Sequence, residues 1–358
     1  WTAAYRRSDS SIAGITLSDV TLANPTFTAP SVSAAVDYSF FLVVNDGQAA
    51  STEVTVVVTV NDVAPVAPTS EQPSGSGTDS DPYLIANLNN LYWLSQTSAE
   101  WVSGKVYRQT ADIDASTTSL LDGGAGFTPL GSVSTQFKAN YDGGGFVIDG
   151  LFINRPTLEY VGFIGYGTGQ IIRNLGVENV NITGYRRIGG FIGRANGVTI
   201  EKCYSTGTVH GNSDYVGGFV DAMAGSATIS NSYSTCNVTG AGALGGFYGN
   251  GGGAITNCYS TGSVSGSHMY GGFGAFDNLT VQNSFWDTET SGQANAQYLG
   301  AMSGVTGLTT SEMQTANKFT DAGWSTAIWN MADGSYPTLK PPAEPNNPPT
   351  VLALSVSS

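Results

Sequence analysis

The chain of 358 residues exceeds one typical domain, so two modules, one of them elongated, are expected. Charged residues are only 11% against 41% hydrophobic, and the 47 glycines follow no three-residue period, which excludes collagen and favours an all-β chain dense in turns. A formal charge of −14 repels phosphate backbones and so argues against nucleic acid as a partner, and no apolar run is long enough to span a bilayer.

The first predicted elements are strands in residues 14 to 60. Tyr38, Phe40, Leu42 and Val44 alternate with Ser39, Phe41 and Val43, Asn45-Asp46-Gly47 supplies a turn, and Val54, Val56, Val58 and Val60 share a face of the returning strand. About four strands can be read before Val63, whereas an immunoglobulin-like sandwich has about seven, so residues 1–63 read as an incomplete sandwich. The segments Ile15 to Val32 and Val44 to Asp62 resemble the PKD-like or cadherin-like repeats of large extracellular proteins. Residues 64–81, rich in Pro, Ser and Gly, have the composition of an extended linker.

A second module is expected over residues 82–340, and internal repetition dictates its form. Phe163, Phe191, Phe219, Phe247 and Phe273 recur at spacings of 28, 28, 28 and 26 residues, each after a Gly and four of them after Gly-Gly. Each is followed by a second block, such as Glu201 to Val209, Ser230 to Val238 and Thr256 to Val264. A repeat of this length accommodates three short strands and their turns, and rungs stacked about 4.8 Å apart turn equivalent side chains into ladders. Phe is expected inside, Gly-Gly at corners with positive φ, and Asn231, Asn257 and Asn283 in a turn ladder that Lys202 interrupts. The helical spacing of Leu88, Leu91, Tyr92 and Ser95, and the capping box Thr309 to Glu312 ahead of a short helix through Lys318, supply caps for the two ends. The fold class is therefore a right-handed parallel β-helix with short capping helices, preceded by the incomplete sandwich. Residues 341–358 pass from a Pro-rich hinge to a β-prone run.

The blocks Gly189 to Gly193, Gly245 to Gly249 and the Cys-Tyr-Ser-Thr-Gly segments resemble the GLUG-motif family. The likeness reaches upstream through Tyr141 to Ile153, Phe127 to Ser132 and Thr110 to Ser116 as far as Gly75 to Gln96, and downstream through Ser284 to Gly292 to Gly334 to Pro337. This resemblance implies a β-helix of a bacterial or archaeal surface protein.

Candidate chemistry is sparse. Asp287 and Glu289 are the nearest approach to the paired carboxylates of a glycosidase, but they fall in the closing element Ser284 to Gly292, and no enzyme activity is expected. Arg173, Arg186, Arg187, Arg194 and Lys202 lie in neighbouring rungs and read as a solvated basic patch. His210 and His268 stand alone and read as turn residues. Tyr204, Tyr233 and Tyr259, continued by Phe285 and Trp286, form an aromatic ladder that either fills the core or, if exposed, binds sugars or a partner. Asp62, Asp79 and Asp81 could offer oxygen ligands to calcium near the junction, with no other cofactor indicated. Cys203 and Cys258 share a phase but are separated by the rung carrying Ser232, beyond disulfide reach, and read as buried thiols, while Cys236 takes the phase of Gly207 and Gly262, where a small residue fits the turn, an intermolecular role being the alternative.

Together these features predict a non-catalytic extracellular protein, either a segment of a repetitive surface adhesin or a self-assembling filament. In the filament, the terminal strand carrying Val351, Leu352, Leu354 and Val356 would complete the N-terminal sandwich of the next copy, head to tail. The alternative is a β-helix that binds or degrades surface polysaccharide.

Overall fold

The structure, a computed structural model, describes residues 2–7, 35–45, 48–52, 54–60, 64–276, 279–298 and 300–342. The chain divides into two compact units, Trp1–Pro65 and Val66–Ser358.

In the first unit the described residues form one antiparallel sheet of three strands, Thr2–Arg7, Val36–Asn45 and Val54–Val60. Alternation sorts the central strand: Tyr38 and Phe40 are buried and lie opposite Val58 and Val56. The strand Thr2–Arg7 lacks β-branched alternation and was not legible in the sequence. The expected segment Ile15 to Val32 lies outside the described residues, as does the terminal strand with Val351, Leu352, Leu354 and Val356.

The second unit is a parallel β-helix, in which each rung contributes short strands that pair with the rungs before and after. One column runs Tyr107, Tyr141, Ile172, Ile200, Ile229, Ile255 and Val281 in continuous parallel register. A second runs Ile153, Ile182, Val209, Val238 and Val264. A third, Ile148, Val177, Ser205, Ser234 and Ser260, is also interior. The remaining wall is a four-stranded parallel sheet of Ile164–Thr168, Ile192–Asn196, Val220–Ala224 and Tyr248–Gly251.

The phenylalanines fall where the repeat placed them. Phe163, Phe191, Phe219, Phe247 and Phe273 are fully buried, and the last four stack with centroids 4.8, 4.9 and 5.2 Å apart. Burial contributes about 1.5–3 kcal/mol per ring and stacking about 0.5–1.5 more. Phe127, one rung earlier, extends the column and stacks on Phe163 at 6.3 Å, though an irregular spacing hides it from a period search.

The Gly-Gly pairs have a different cause from the one expected. Their φ values are not in the left-handed region; close approach between rungs requires them. A Cβ on Gly218 would meet the carbonyl of Gly246, and one on Gly246 the carbonyl of Gly272. Interior serines anchor the same corners: Ser205 Oγ donates to Gly218 O and Ser260 Oγ to Gly272 O, both at 2.9 Å. Left-handed geometry instead belongs to the Asn ladder, where Asn231, Asn257 and Asn283 have φ of 48°, 53° and 47°. Asn174 begins this column at 54°, and Lys202 adopts 54° despite its bulk.

The helix Leu88–Gln96, capped by Asn87, buries Leu91 and Leu94 in the main core at the N-terminal end. The Pro/Ser/Gly-rich stretch before it is not free along its length: Thr69 N and Glu71 N donate to Asn89, and Leu84 N donates to Ser74 O. At the other end the capping box of Thr309 and Glu312 forms, but it opens two short helices, Thr310–Met313 and Ala316–Thr320. Both help to cover the flank of the coil, because Met313 and Phe319 join Trp324 and Trp329 in a second core against Tyr233, Tyr259 and Phe285.

Candidate functional site

The tyrosine ladder is real. Tyr204, Tyr233 and Tyr259 stack with centroids 4.6 and 4.9 Å apart and planes within 6° of parallel, following directly from parallel register. Strand neighbours point to opposite faces, so beside the interior serine column these rings lie on the outside of the coil. They are nevertheless covered: Tyr233 and Tyr259 are 8% and 1% exposed beneath the C-terminal segment. Tyr259 Oη donates to Pro337 O at 2.7 Å. Tyr204 alone remains half-buried, with its hydroxyl 2.5 Å from Glu178. Trp286 leaves the series altogether, since it pairs with Ser260 and fills the interior of the last rung, while Phe285 continues the tyrosines. The ladder is therefore not an open sugar platform.

The paired acids are also committed to packing. Asp287, fully buried, accepts from Glu289 N, Thr290 N, Thr310 Oγ1 and Tyr336 Oη, the last at 2.6 Å. Glu289 accepts from Thr310 N at 2.8 Å. The two carboxylates thus fasten the covering segment to the rung rather than facing an open cleft.

Asp79 and Asp81 sit exposed on a turn in which Asp81 O accepts from Ser76 N and Thr78 N. Asp62 lies outside the described residues, and among those described no three His, Cys, Asp or Glu side chains converge. Cys203, Cys236 and Cys258 are free and buried, and burial pushes the last two thiols up to about 11 and about 12. His210 lies on the strand Thr199–Gly211 rather than in a turn, with Nδ1 2.8 Å from Thr239 Oγ1; His268 is an exposed loop residue.

The basic residues do not form one solvated patch. Arg173 pairs with Asp142 at 2.9 Å and Arg186 with Glu159 at 2.7 Å, while Arg187 and Arg194 belong to a cluster that sequence reasoning missed. The Arg187 guanidinium sits 5.7 Å from the Tyr160 ring and 5.1 Å from Tyr215; that of Arg194 lies 5.9 Å from Tyr160 and 5.2 Å from Tyr166. Beneath them is Asp221, fully buried, with neither carboxylate oxygen hydrogen-bonded and Arg187 Nη1 no nearer than 4.0 Å. Burial, partly opposed by the two guanidinium charges, drives the Asp221 carboxyl well above the usual range. A signal existed: the position two residues after the repeated Phe is Gly165, Gly193, Gly249 and Ala275 in the other rungs, and Asp221 is the one charged residue in that series of small residues.

Comparison with known proteins agrees with the rung geometry. The GLUG motif matches residues 184–209, which join two successive rungs. Halomucin of Haloquadratum walsbyi is 33% identical over 172 residues, covering 46% of this chain and 2% of halomucin. An Evansella cellulosilytica protein named as a Gly-rich membrane protein is 35% identical over 111 residues, covering 30% of this chain and 12% of that protein. The matched parts are thus small fractions of both relatives. A crystal structure from Bacteroides ovatus, named as an immunoglobulin A1 protease, superposes with a TM-score of 0.54 at 19% identity over 74% of this chain and 94% of its own, a likeness of fold alone. Residues 184–209 thus carry a GLUG motif, set among rungs of the same repeat and similar to stretches of both relatives, in line with the resemblance seen in the sequence.

Proposed function

We propose that the chain is a non-catalytic structural segment of a repetitive extracellular surface protein, its β-helix serving as a stiff spacer. The observation that carries this reading is how the chemically capable groups are used: the tyrosine ladder and the Asp287–Glu289 pair are built into packing between rungs and cover. The relatives support the setting, since the matched stretch is a small part of two much longer proteins, one of them named for a membrane. No helix among the described residues is long and apolar enough to cross a membrane.

Within that reading, the adhesin and the head-to-tail filament make different predictions. The first unit presents Val54, Val56 and Val57 to solvent at 55%, 39% and 54% exposure, apolar surface suited to an added β element. Light scattering and electron microscopy of the chain, intact and cut before Glu344, separate them across a concentration range. Filaments that disappear on truncation establish strand exchange between copies. Monomers in both samples leave a spacer within one longer polypeptide, and turnover of a polysaccharide by either sample would overturn the non-catalytic reading.

A further inference from the structure

We propose that the cavity lined by Tyr270 and Tyr298, at the C-terminal edge of the coil, binds a neutral oligosaccharide whose sugar rings stack on these two tyrosines. This goes beyond the structural role above and holds whether or not the ends polymerise.

The cavity exists because one inter-rung bond is diverted. Ile188 N donates to Tyr215 O, Val216 N to Ala243 O and Leu244 N to Met269 O, each joining one rung to the next. Two residues on, the parallel series runs from Gly218 N to Gly245 O, Gly246 N to Gly271 O and Gly272 N to Asn295 O. The acceptor for Tyr270 N would therefore be the carbonyl of Gln293, but that oxygen accepts from Trp286 Nε1 at 3.1 Å, and Tyr270 N has no acceptor among the described residues. The space left there, about 720 Å³, falls within the range of about 300–1,000 Å³ common for small-molecule sites. Its walls are fixed: Gln293 Nε2 donates to Val264 O at 2.8 Å, Phe273 N to Ala296 O at 3.0 Å and Tyr298 N to Ala275 O at 3.3 Å. A ligand thus meets a formed site and loses little binding energy to ordering it.

The second observation is where aromatic surface is left uncovered. Among the described residues the exposed aromatic side chains are Tyr185, Tyr270 and Tyr298, and the last two, at 37% and 50%, both line this cavity. Their hydroxyls and the side chains of His268 and Asn295, also in the lining, make no hydrogen bond among the described residues. An aromatic face receives the apolar C–H face of a sugar ring, and free hydroxyl, imidazole and amide groups beside it meet the ring's own hydroxyls. No Asp, Glu, Lys or Arg lines the cavity, and the chain's formal −14 repels polyanions, so the sugar it suits is neutral. A peptide strand added at the same edge would pair only with Tyr270–Gly271, too short a ladder for recognition through main-chain bonds.

The test is calorimetric titration of the intact chain with cellotetraose, maltotetraose and chitotetraose, with acidic tetragalacturonate and the peptide Thr-Val-Thr-Val as comparisons. At least one neutral sugar should bind about tenfold tighter than either comparison. Tyr270→Ala and Tyr298→Ala should each weaken that binding by about tenfold, and Tyr298→Phe, which keeps the ring, should retain more of it. Tyr185→Ala, on an exposed tyrosine outside the cavity, should leave affinity unchanged. Tyr298 is the more exposed of the pair, so its two variants carry the test if Tyr270→Ala fails to fold. No binding of any neutral sugar, equal or tighter binding of tetragalacturonate or the peptide, or unchanged affinity in Tyr298→Ala would overturn the proposal.

Discussion

Lys202 shows how a stacked fold exposes a single misplaced residue. Asn tolerates the left-handed conformation that the column demands, whereas Lys carries steric strain there. Lys202→Asn is therefore expected to stabilise the protein by about 0.5–1 kcal/mol in urea unfolding, and an unchanged midpoint would show that the rung has relaxed around the lysine. Charge supplies a second residue-level case, with opposite signs at two aspartates. Asp221 is raised, chiefly by burial, so its protonated form favours the folded state; that stability is complete below an unfolded value of about 4 and is lost as pH rises toward the folded one. For Asp142 burial acts upward, but hydrogen bonds from Asn174 and Gly144 N and the Arg173 guanidinium outweigh it and hold the carboxyl low. Its contribution is present above about pH 4 and disappears as pH falls through the lowered value. Thermal melts across pH 4 to 8 should show a decline in Asp221→Asn that is shallower than in the parent, and parallel curves would remove Asp221 from the account.

At the level of elements, the ladders divide into those that fill the coil and those that attach its cover. Phe219 stacks on both sides, so Phe219→Ala should cost about 3–5 kcal/mol by leaving a cavity in mid-column. For the cover, Asp287→Ala removes an acceptor for Thr310 and Tyr336, and limited proteolysis should then cut residues 309–340 faster while the rungs upstream stay resistant. Uniform loss of resistance would mean that the two cores are one cooperative unit. These contrasts also explain what the sequence discloses. The Phe and Asn columns are legible because parallel register converts a period into contact, and Trp286 looked like a tyrosine-ladder member only because one residue separates the two faces. The burial of the tyrosines was not legible, since it comes from Trp324, Trp329 and Tyr336, which obey no repeat. Asp221 was visible as the one charged residue in a series of small ones, but its lack of partners depends on three-dimensional distances that no pattern encodes.

For the whole molecule, the β-helix unit is well specified by its own repetition, whereas the first unit's described residues give three strands of a larger expected sandwich. The covering segment links distant rungs by side-chain bonds: Trp329 Nε1 donates to Asn231 at 3.4 Å, Tyr259 Oη donates to Pro337 O, and Trp324 Nε1 donates to Asn283 O at 2.8 Å. Solenoids ordinarily unravel from the end, each rung depending only on its neighbours. Here a clasp runs along the side of the last rungs, so a pull on the C-terminal end meets the clasp before it meets the coil. In a single-molecule stretching experiment the rungs from Asn231 to Asn283 should release together, as one abrupt extension after the clasp opens, where an unclasped coil would give a staircase of single rungs.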